Sequence, residues 1–139
     1  MKREFIKGIT LLSKKEYIDN KDIIEPRIAF WWLRTPDYHR RDTVRIIDSC
    51  REVYNGFVDD PYNGVRPALI VDLPSDYKRG DKVKIAGYIW TVLSSKLIHC
   101  DDIITAMSFR REYEKPDANK YEKSDVKKWL DEWFSAEIN

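Results

Sequence analysis

Residues 35–45, TPDYHRRDTVR, hold the densest group of chemically active side chains in the chain. They combine positive charge with aromatic surface in one predicted loop: Tyr38, His39, Arg40, Arg41 and Arg45. Guanidinium groups bind phosphates and carboxylates in bidentate geometry, so this loop is suited to a phosphate or to an acidic protein surface. The alternative is a solvated loop in which Asp37 and Asp42 neutralise part of the charge.

A second candidate is HCDD at residues 99–102, whose side chains are of types that bind zinc. Consecutive residues of an extended segment point to opposite sides, so few of the four could reach one ion. The alternative, which we favour, places His99 and Cys100 at a half-buried strand end and Asp101 and Asp102 in a solvated turn. We therefore expect neither a metal nor another cofactor.

Other catalytic signatures are weak. The chain has no G-x-G-x-x-G, P-loop, H-E-x-x-H or G-x-S-x-G pattern, and only five glycines to form a phosphate-binding loop. The S-x-x-K pattern from Ser124 to Lys127 is short enough to arise by chance, and this serine is better placed to cap a helix. Cys50 and Cys100 are fifty residues apart, which favours reduced thiols over a disulfide framework.

Composition indicates one globular domain. The chain has 139 residues, 42% hydrophobic and 13% aromatic, with five tryptophans. Its 25 basic and 24 acidic residues give a net charge of +1, so no global field directs it to nucleic acid or an anionic membrane. No signal-peptide pattern and no apolar run of about eighteen residues is present, so we expect a cytoplasmic protein.

In the first half, KGITLLS predicts a strand, and Ser13 with Glu16 forms the S-x-x-E capping box of a short helix. IAFWWLR predicts a strand that ends at Thr35-Pro36. TVRIID and EVYNGFV predict a pair of strands, although Asn55-Gly56 offers a competing turn. VRPALIV predicts a strand that lies at an edge or is irregular at Pro67, which cannot donate a ladder hydrogen bond.

In the second half, DKVKIAGYIWTVLSS predicts a hairpin with its turn at Ala86-Gly87, and KLIHCDDIITAMSF predicts one or two short strands. RREYEKPDANKYEK reads as a polar connection. The last segment predicts a helix capped by Ser124, with an apolar stripe at helical spacing: Val126, Trp129, Leu130, Trp133 and Phe134. We expect this stripe to pack on the sheet rather than on a partner.

Three motifs carry a resemblance: LLSKKEY, WWLRTP and GVRPAL. They resemble an uncharacterised domain family of gut bacteria, phages and prophages, marked by L-L-S-x-x-E, W-W-L-R-[ST]-P and G-V-R-P-A-L. GDKVKIAGYIWTVL and NKYEKSDVKKWLDEWF are similar to that family's strand pair and Trp-Leu helix. Those elements come first in the family and second here, so the chain looks circularly permuted, with residues 1–73 and 81–139 as the halves and 74–80 as the joint.

The family in turn resembles C-type-lectin-like domains, in which the first and last strands lie side by side and make a permutation tolerable. This implies a single α+β domain of mostly antiparallel short strands, with helices at about 13–20 and 124–135. It also implies a loop-rich binding face, here residues 35–63. The enzyme branch of that fold, the formylglycine-generating type, uses a pair of active-site cysteines, whereas this chain has one cysteine in each half.

The resemblance implies a non-catalytic module that binds a host or phage protein in a bacterial cytoplasm, or else a small ligand or nucleotide. A narrower form is an inhibitor of host defence. The alternatives are a nucleic-acid binder that uses the loop at residues 38–45 and a metal- or cysteine-dependent enzyme. The candidate binding residues are Trp32, Arg34, Tyr38, His39, Arg40, Arg41, Arg45, Tyr54, Tyr62, Asn63 and Arg66.

The two motif arginines, Arg34 and Arg66, also have a structural interpretation. A buried guanidinium must be hydrogen-bonded, so both should reach backbone carbonyls or carboxylates that fix the long loops. Because neighbouring residues on a strand face opposite ways, one tryptophan of the Trp31-Trp32 pair should enter the core and the other should lie under the loop-rich face.

Overall fold

The computed structural model describes residues 1–138 as one α+β domain with ten strands in two sheets and two α-helices. Two short 3₁₀ helices cover Arg3–Phe5 and Tyr121–Lys123. The α-helices are α1, Lys14–Asn20, and α2, Asp125–Glu137. The strands are β1 Ile6–Thr10, β2 Trp31–Pro36, β3 Thr43–Ile47, β4 Val53–Phe57, β5 Gly64–Val65, β6 Ala68–Val71, β7 Lys82–Ile85, β8 Tyr88–Ser94, β9 Leu97–Cys100 and β10 Thr105–Ala106.

Both predicted helices are confirmed together with their caps. Ser13 accepts a hydrogen bond from the Glu16 amide, and the Glu16 carboxylate accepts one from the Ser13 amide, which completes the capping box of α1. Ser124 caps α2 through the Lys127 amide. Within residues 1–138, no helix is both long and apolar enough to cross a membrane.

The first sheet is fully antiparallel, in the order β1-β6-β9-β8-β7. Its β7–β8 hairpin turns at Ala86 and Gly87, as predicted, and both residues have positive φ. The second sheet has the order β10-β5-β2-β3-β4, and only the β2–β5 pair is parallel. Asn55 and Gly56 lie inside β4 and pair with β3, so the competing turn does not form.

The two adjacent tryptophans pack on opposite faces of the second sheet. Trp31 joins a core cluster with Tyr17 of α1, and Trp32 joins one with Phe109 and Leu130 of α2. Both side chains are fully buried because helices or loops cover this sheet on both sides. The cluster around Trp32 also contains Val58 and Ala118, which lie in loops. Trp32 therefore lies beneath the loops, as predicted for one tryptophan of the pair, and it does not reach the surface.

The apolar stripe of helix α2 packs on the protein core, as predicted, and it does so against both sheets. Val126 and Leu130 enter the cluster around Trp32, whereas Trp133 and Phe134 pack with Trp90 of the first sheet. The guanidinium of Arg3 lies 5.5 Å from the centre of the Phe134 ring, so the two ends of the domain are neighbours.

We expected one strand over the VRPALIV segment. The structure instead has two strands there, which belong to different sheets. β5 pairs with β2 and β10, and β6 pairs with β1 and β9, so the chain crosses from sheet to sheet at Arg66-Pro67. The predicted irregularity at Pro67 is therefore real, and its cause is the crossing. Proline suits this position because it has no amide hydrogen that a ladder would need to satisfy.

Arg66 stabilises the crossing by donating hydrogen bonds to backbone carbonyls. Its Nε donates to the Cys100 carbonyl at 2.8 Å, and its Nη2 donates to the carbonyls of Glu25 at 2.6 Å and Asp101 at 3.1 Å. The guanidinium also lies over the Trp31 ring, 4.9 Å from its centre. Burial lowers the pKa of Arg66 to about 10, so the group still carries its charge at neutral pH. The predicted carbonyl partners of a buried Arg66 are confirmed.

Trp31 also contacts His99, with ring centres 5.3 Å apart. The imidazole is fully buried, and its Nε2 has no hydrogen-bond partner among the described residues. Burial, assisted by the charge of Arg66, holds the pKa of His99 well below its ordinary value of 6.5. His99 is therefore neutral in the folded protein at neutral pH.

Replacing Arg66 with methionine should lower the free energy of unfolding by about 3 kcal/mol, because the buried carbonyls of Cys100 and Asp101 and the partly buried carbonyl of Glu25 lose their donor. Urea denaturation measures the change. The matched control is Arg34→Met, for which we expect about 1 kcal/mol, because Arg34 is partly exposed and water can replace its hydrogen bonds. Equal effects of the two variants would contradict the role assigned to Arg66.

His99 should make the folded state sensitive to mild acid. Below pH 6.5 the unfolded chain binds a proton that the folded chain does not, so the free energy of unfolding should fall by up to about 1.4 kcal/mol per pH unit. Urea denaturation between about pH 5 and 7 should show this slope in the wild type. The control variant His39→Phe, which removes an exposed histidine, should show the same slope. His99→Phe should flatten the slope, and an unchanged slope would refute the assignment.

Candidate functional site

The candidate site is a surface made by three loops, which we call the loop-rich face. The loops are residues 37–42 between β2 and β3, 58–63 between β4 and β5, and 107–120 after β10. The first two lie within the predicted range of 35–63, whereas the third comes from the other half of the chain. Together they enclose two concave regions.

The first region is the basic pocket, a cavity of about 370 Å³ between the first and third loops. Its polar lining includes Tyr38, His39, Arg40, Arg41 and Lys120. The second is the aromatic cleft, an open depression of about 730 Å³ lined by Phe57, Tyr62 and Tyr113 with Asp42, Asp59 and Asp60. A smaller depression lined by Arg40, Arg41, Asp42 and Tyr113 joins the two regions.

Hydrogen bonds to buried polar groups hold the first loop. The Asp37 carboxylate accepts from the His39 amide at 3.0 Å and from the Thr43 hydroxyl at 2.8 Å, and these bonds lower the pKa of Asp37. From the third loop, the buried Asn119 amide nitrogen donates to the carbonyls of Asp37 and Arg40 at 3.0 Å and of Thr43 at 3.3 Å. A residue of the second half therefore holds the loop that bears the arginines.

The second loop is anchored to the third in the same way. The Arg110 amide donates to the Val58 carbonyl at 2.8 Å, and the Ser108 hydroxyl donates to the Asp59 carbonyl at 2.9 Å. At the tip of the loop, the Asp60 carboxylate accepts from the Tyr62 amide at 2.9 Å. These bonds fix the backbone and leave the Tyr62 ring 85% exposed.

The third loop is closed by its own ion pair. Arg110 Nη1 donates to the carboxylate of Asp117 at 2.8 Å and to its carbonyl at 3.0 Å. The Asp125 carboxylate, at the start of α2, accepts from the Arg111 amide at 2.9 Å. The Tyr113 ring between these two anchors is exposed.

Arg40 links the two concave regions. It donates to Asp42 through Nε and Nη2, both at 2.9 Å, and its guanidinium lies 5.2 Å from the centre of the Phe57 ring. The pair lowers the pKa of Asp42 and raises that of Arg40. The contacts of Arg40 with Phe57 and Asp42 show how the aromatic cleft can hold a cation, because the cleft offers the cation both an aromatic face and a carboxylate.

The structure separates the predicted binding residues into three groups. Those with exposed side chains on or near the face are Tyr38, His39, Arg40, Arg41, Tyr54 and Tyr62, of which Tyr54 lines neither the basic pocket nor the aromatic cleft. Those with partly buried side chains are Arg34 and Arg45. Those that are buried and support the face or the core from within are Trp32, Asn63 and Arg66.

The buried residues act on the backbone or the core and not on the surface. The indole nitrogen of Trp32 donates to the Met107 carbonyl at 2.8 Å and so fixes the start of the third loop. Asn63 and Arg45 each bury a side-chain nitrogen for which the described residues provide no partner. Trp32 and Asn63 lie beneath the loop-rich face and not on it, and Arg66 lies in the core at the crossing between the sheets.

Sequence reasoning missed Lys120, Tyr113 and Phe57. Lys120 and Tyr113 fall in the segment that we read as a polar connection, and Phe57 in the apolar pattern of β4. The sequence of this polar segment shows tyrosines, lysines and a proline, which are typical of an exposed loop. Because the segment has no hydrophobic periodicity, its sequence could not indicate which surface of the fold the loop would join.

Arg34 lies in a different cleft, of about 510 Å³, among α1, the first sheet and the 3₁₀ helix at residues 121–123. It donates to the Glu16 carboxylate at 2.7 Å and to the Leu11 carbonyl at 2.6 Å, as predicted for a structural arginine. Burial acts to raise the pKa of Glu16, but its bonds with Arg34 and Ser13 lower it overall. The charge of Arg34 is thus already balanced within the fold.

The HCDD segment forms no metal centre in the part of the chain that the structure describes, where no group of three or more His, Cys, Asp or Glu residues could hold an ion. His99 and Cys100 are fully buried, not half-buried as expected. Asp101 is buried too, which corrects the prediction of a solvated turn. It binds Lys82 at 2.7 Å and the Thr91 hydroxyl at 2.6 Å, because β7 and β8 bring these partners to it.

The two cysteines are in different environments. Cys50 is exposed in the β3–β4 turn, and Cys100 is buried at the end of β9 in the other sheet. Burial raises the pKa of the Cys100 thiol to about 11, so it stays protonated at neutral pH. A protonated, buried thiol is a poor nucleophile.

Comparison with known proteins was made at the level of families, curated proteins and solved structures. A domain family described as a domain of unknown function (DUF6273) matches residues 5–73, which include β1 to β6 and the first two loops of the face. Neither a curated protein nor a solved structure matches the chain.

Proposed function

We propose that this chain is a non-catalytic binding module whose loop-rich face recognises a protein partner. The observation that carries the proposal is the aromatic cleft, where three exposed rings surround a depression of about 730 Å³ on loops whose backbones are already fixed. Exposed tyrosines on a rigid backbone offer a large contact area at a small loss of conformational entropy. Exposed apolar clusters rimmed by polar residues are typical of protein interaction sites.

The chemistry of the cleft favours a partner with basic side chains. Asp59 forms no salt bridge with any of the described residues, and the exposed side chains of Tyr62 and Tyr113 line the same depression. Arg40 already makes a cation–π and a carboxylate contact at the edge of this region. A lysine or arginine of the partner would find the same pair of contacts deeper in the cleft.

The same carboxylates oppose the nucleic-acid alternative. A phosphate backbone that contacted the basic pocket would also approach Asp59 and Asp60 in the adjoining cleft, where it is repelled. The enzyme alternative finds little support in the cysteines, because one is buried and protonated and the other lies in a turn of the opposite sheet.

The fold proposal follows the resemblance drawn from the sequence. We propose that the domain is C-type-lectin-like and circularly permuted, with residues 74–80 as the joint. The support is the contact between the ends of the domain, where Arg3 covers Phe134, because neighbouring ends make a permutation tolerable. Kinship with phage and prophage domains suggests a host or phage protein as the partner, and inhibition of a host defence protein is the narrower form.

The test is affinity capture from a bacterial lysate with quantitative mass spectrometry, using the wild type and a Tyr62→Ser, Tyr113→Ser double variant. If the cleft is the contact, the double variant should retain its partner at least roughly tenfold less well, because each tyrosine contributes about 1–2 kcal/mol. The matched control is Ile28→Ser, whose side chain is 93% exposed in the loop at the other end of β2. Equal capture by the double variant, or no stoichiometric partner for any of the three proteins, would reject the proposal.

A further inference from the structure

The basic pocket carries positive charge that the fold does not balance. Arg40, Arg41 and Lys120 line it, and the only carboxylate in its lining is Asp37. Arg41 and Lys120 form no salt bridge with any other described residue, whereas Arg40 is paired with Asp42. A concave site that gathers unpaired cations attracts an anion more strongly than a convex surface with the same charges.

Asp37, the one carboxylate in the lining of this pocket, forms no salt bridge with Arg41 or Lys120. Its two carboxylate oxygens accept hydrogen bonds from the His39 amide and the Thr43 hydroxyl, and the side chain is buried. The carboxylate therefore shapes the loop from behind and does not pair with Arg41 or Lys120. The pocket is a positive site with a fixed backbone and free cationic ends.

The backbone that carries these cations is ordered before any ligand arrives. Asn119 ties the carbonyls of Asp37, Arg40 and Thr43 to the loop that bears Lys120. Binding an anion then requires the ordering of side-chain ends alone, which is a smaller loss of entropy than closing a loop.

Tyr38 gives the pocket an aromatic wall. Its ring is 82% exposed at the rim, beside His39 and the arginines. Aromatic rings beside cationic groups bind a nucleotide in two ways at once, by stacking on the base and by neutralising the phosphates. A volume of about 370 Å³ lies within the usual range for a small-ligand site.

We propose that the basic pocket binds a nucleotide, with Arg41 and Lys120 contacting its phosphates and Tyr38 stacking on its base. This inference rests on the proposed binding function and names the ligand class at one end of the loop-rich face. The aromatic cleft remains the site for the protein partner.

Isothermal titration calorimetry at low salt tests the inference with three probes: ATP, adenosine and inorganic triphosphate. ATP should bind most tightly, triphosphate roughly fivefold to tenfold more weakly, and adenosine least, because both stacking and charge contribute. Arg41→Gln combined with Lys120→Gln should weaken both ATP and triphosphate at least roughly tenfold. Tyr38→Ala should weaken ATP alone and bring it close to triphosphate.

The matched control is Lys123→Gln combined with Lys128→Gln, which removes two exposed cations that form no salt bridge with a described residue and do not line the pocket. It should leave both affinities unchanged. An equal loss in the control would show non-specific charge attraction and overturn the proposal, as would an absence of ATP binding at millimolar concentration.

A third result would also overturn it. If triphosphate binds as tightly as ATP and Tyr38→Ala changes neither, the pocket is a simple anion site, suited to a phosphorylated or acidic side chain of the protein partner. None of these failures affects capture through Tyr62 and Tyr113, so the nucleotide inference and the proposed function fail separately.

Discussion

The crossing at Arg66-Pro67 is the constraint on which the rest of this domain depends. One extended segment serves both sheets, and its side chain at the crossing is buried and must therefore be hydrogen-bonded there. Arg66 meets this demand with three donated hydrogen bonds, to Cys100, Asp101 and Glu25, and with the Trp31 ring below it. Because these partners belong to β2, β9 and two loops, one guanidinium sets the relation between the sheets.

With the sheets fixed in this way, the three loops at one end of the second sheet can be irregular in structure and still have an ordered backbone. Asn119, Asp37 and Trp32 each place a polar atom against the backbone of a loop from beneath the face. The surface above them is then free to carry exposed tyrosines and unpaired cations, which contribute nothing to folding. Buried residues thus support the face, and exposed loop residues form its surface.

Local signals made much of this fold predictable. The capping box of α1, the apolar stripe of α2 and the β7–β8 turn each follow from residues close in sequence, and Pro67 marked the irregular point. The third wall of the face was not predictable, because residues 107–120 have no periodicity and their hydrogen bonds to the first loop come from Asn119, about eighty residues away in sequence. The burial of Asp101 was also missed, since its partner Lys82 is nineteen residues away in sequence.

The central claim is that the loop-rich face is preformed. Amide hydrogen exchange followed by NMR tests it most directly, because the amides of Asp37 and His39 donate to Thr43 and to the Asp37 carboxylate within the first loop. The account predicts that both amides exchange at least roughly a hundredfold more slowly than in an unstructured peptide, and that Asn119→Ala releases them while the Val71 amide of the first sheet stays protected. Exchange of Asp37 and His39 at unstructured rates in the wild type would contradict it.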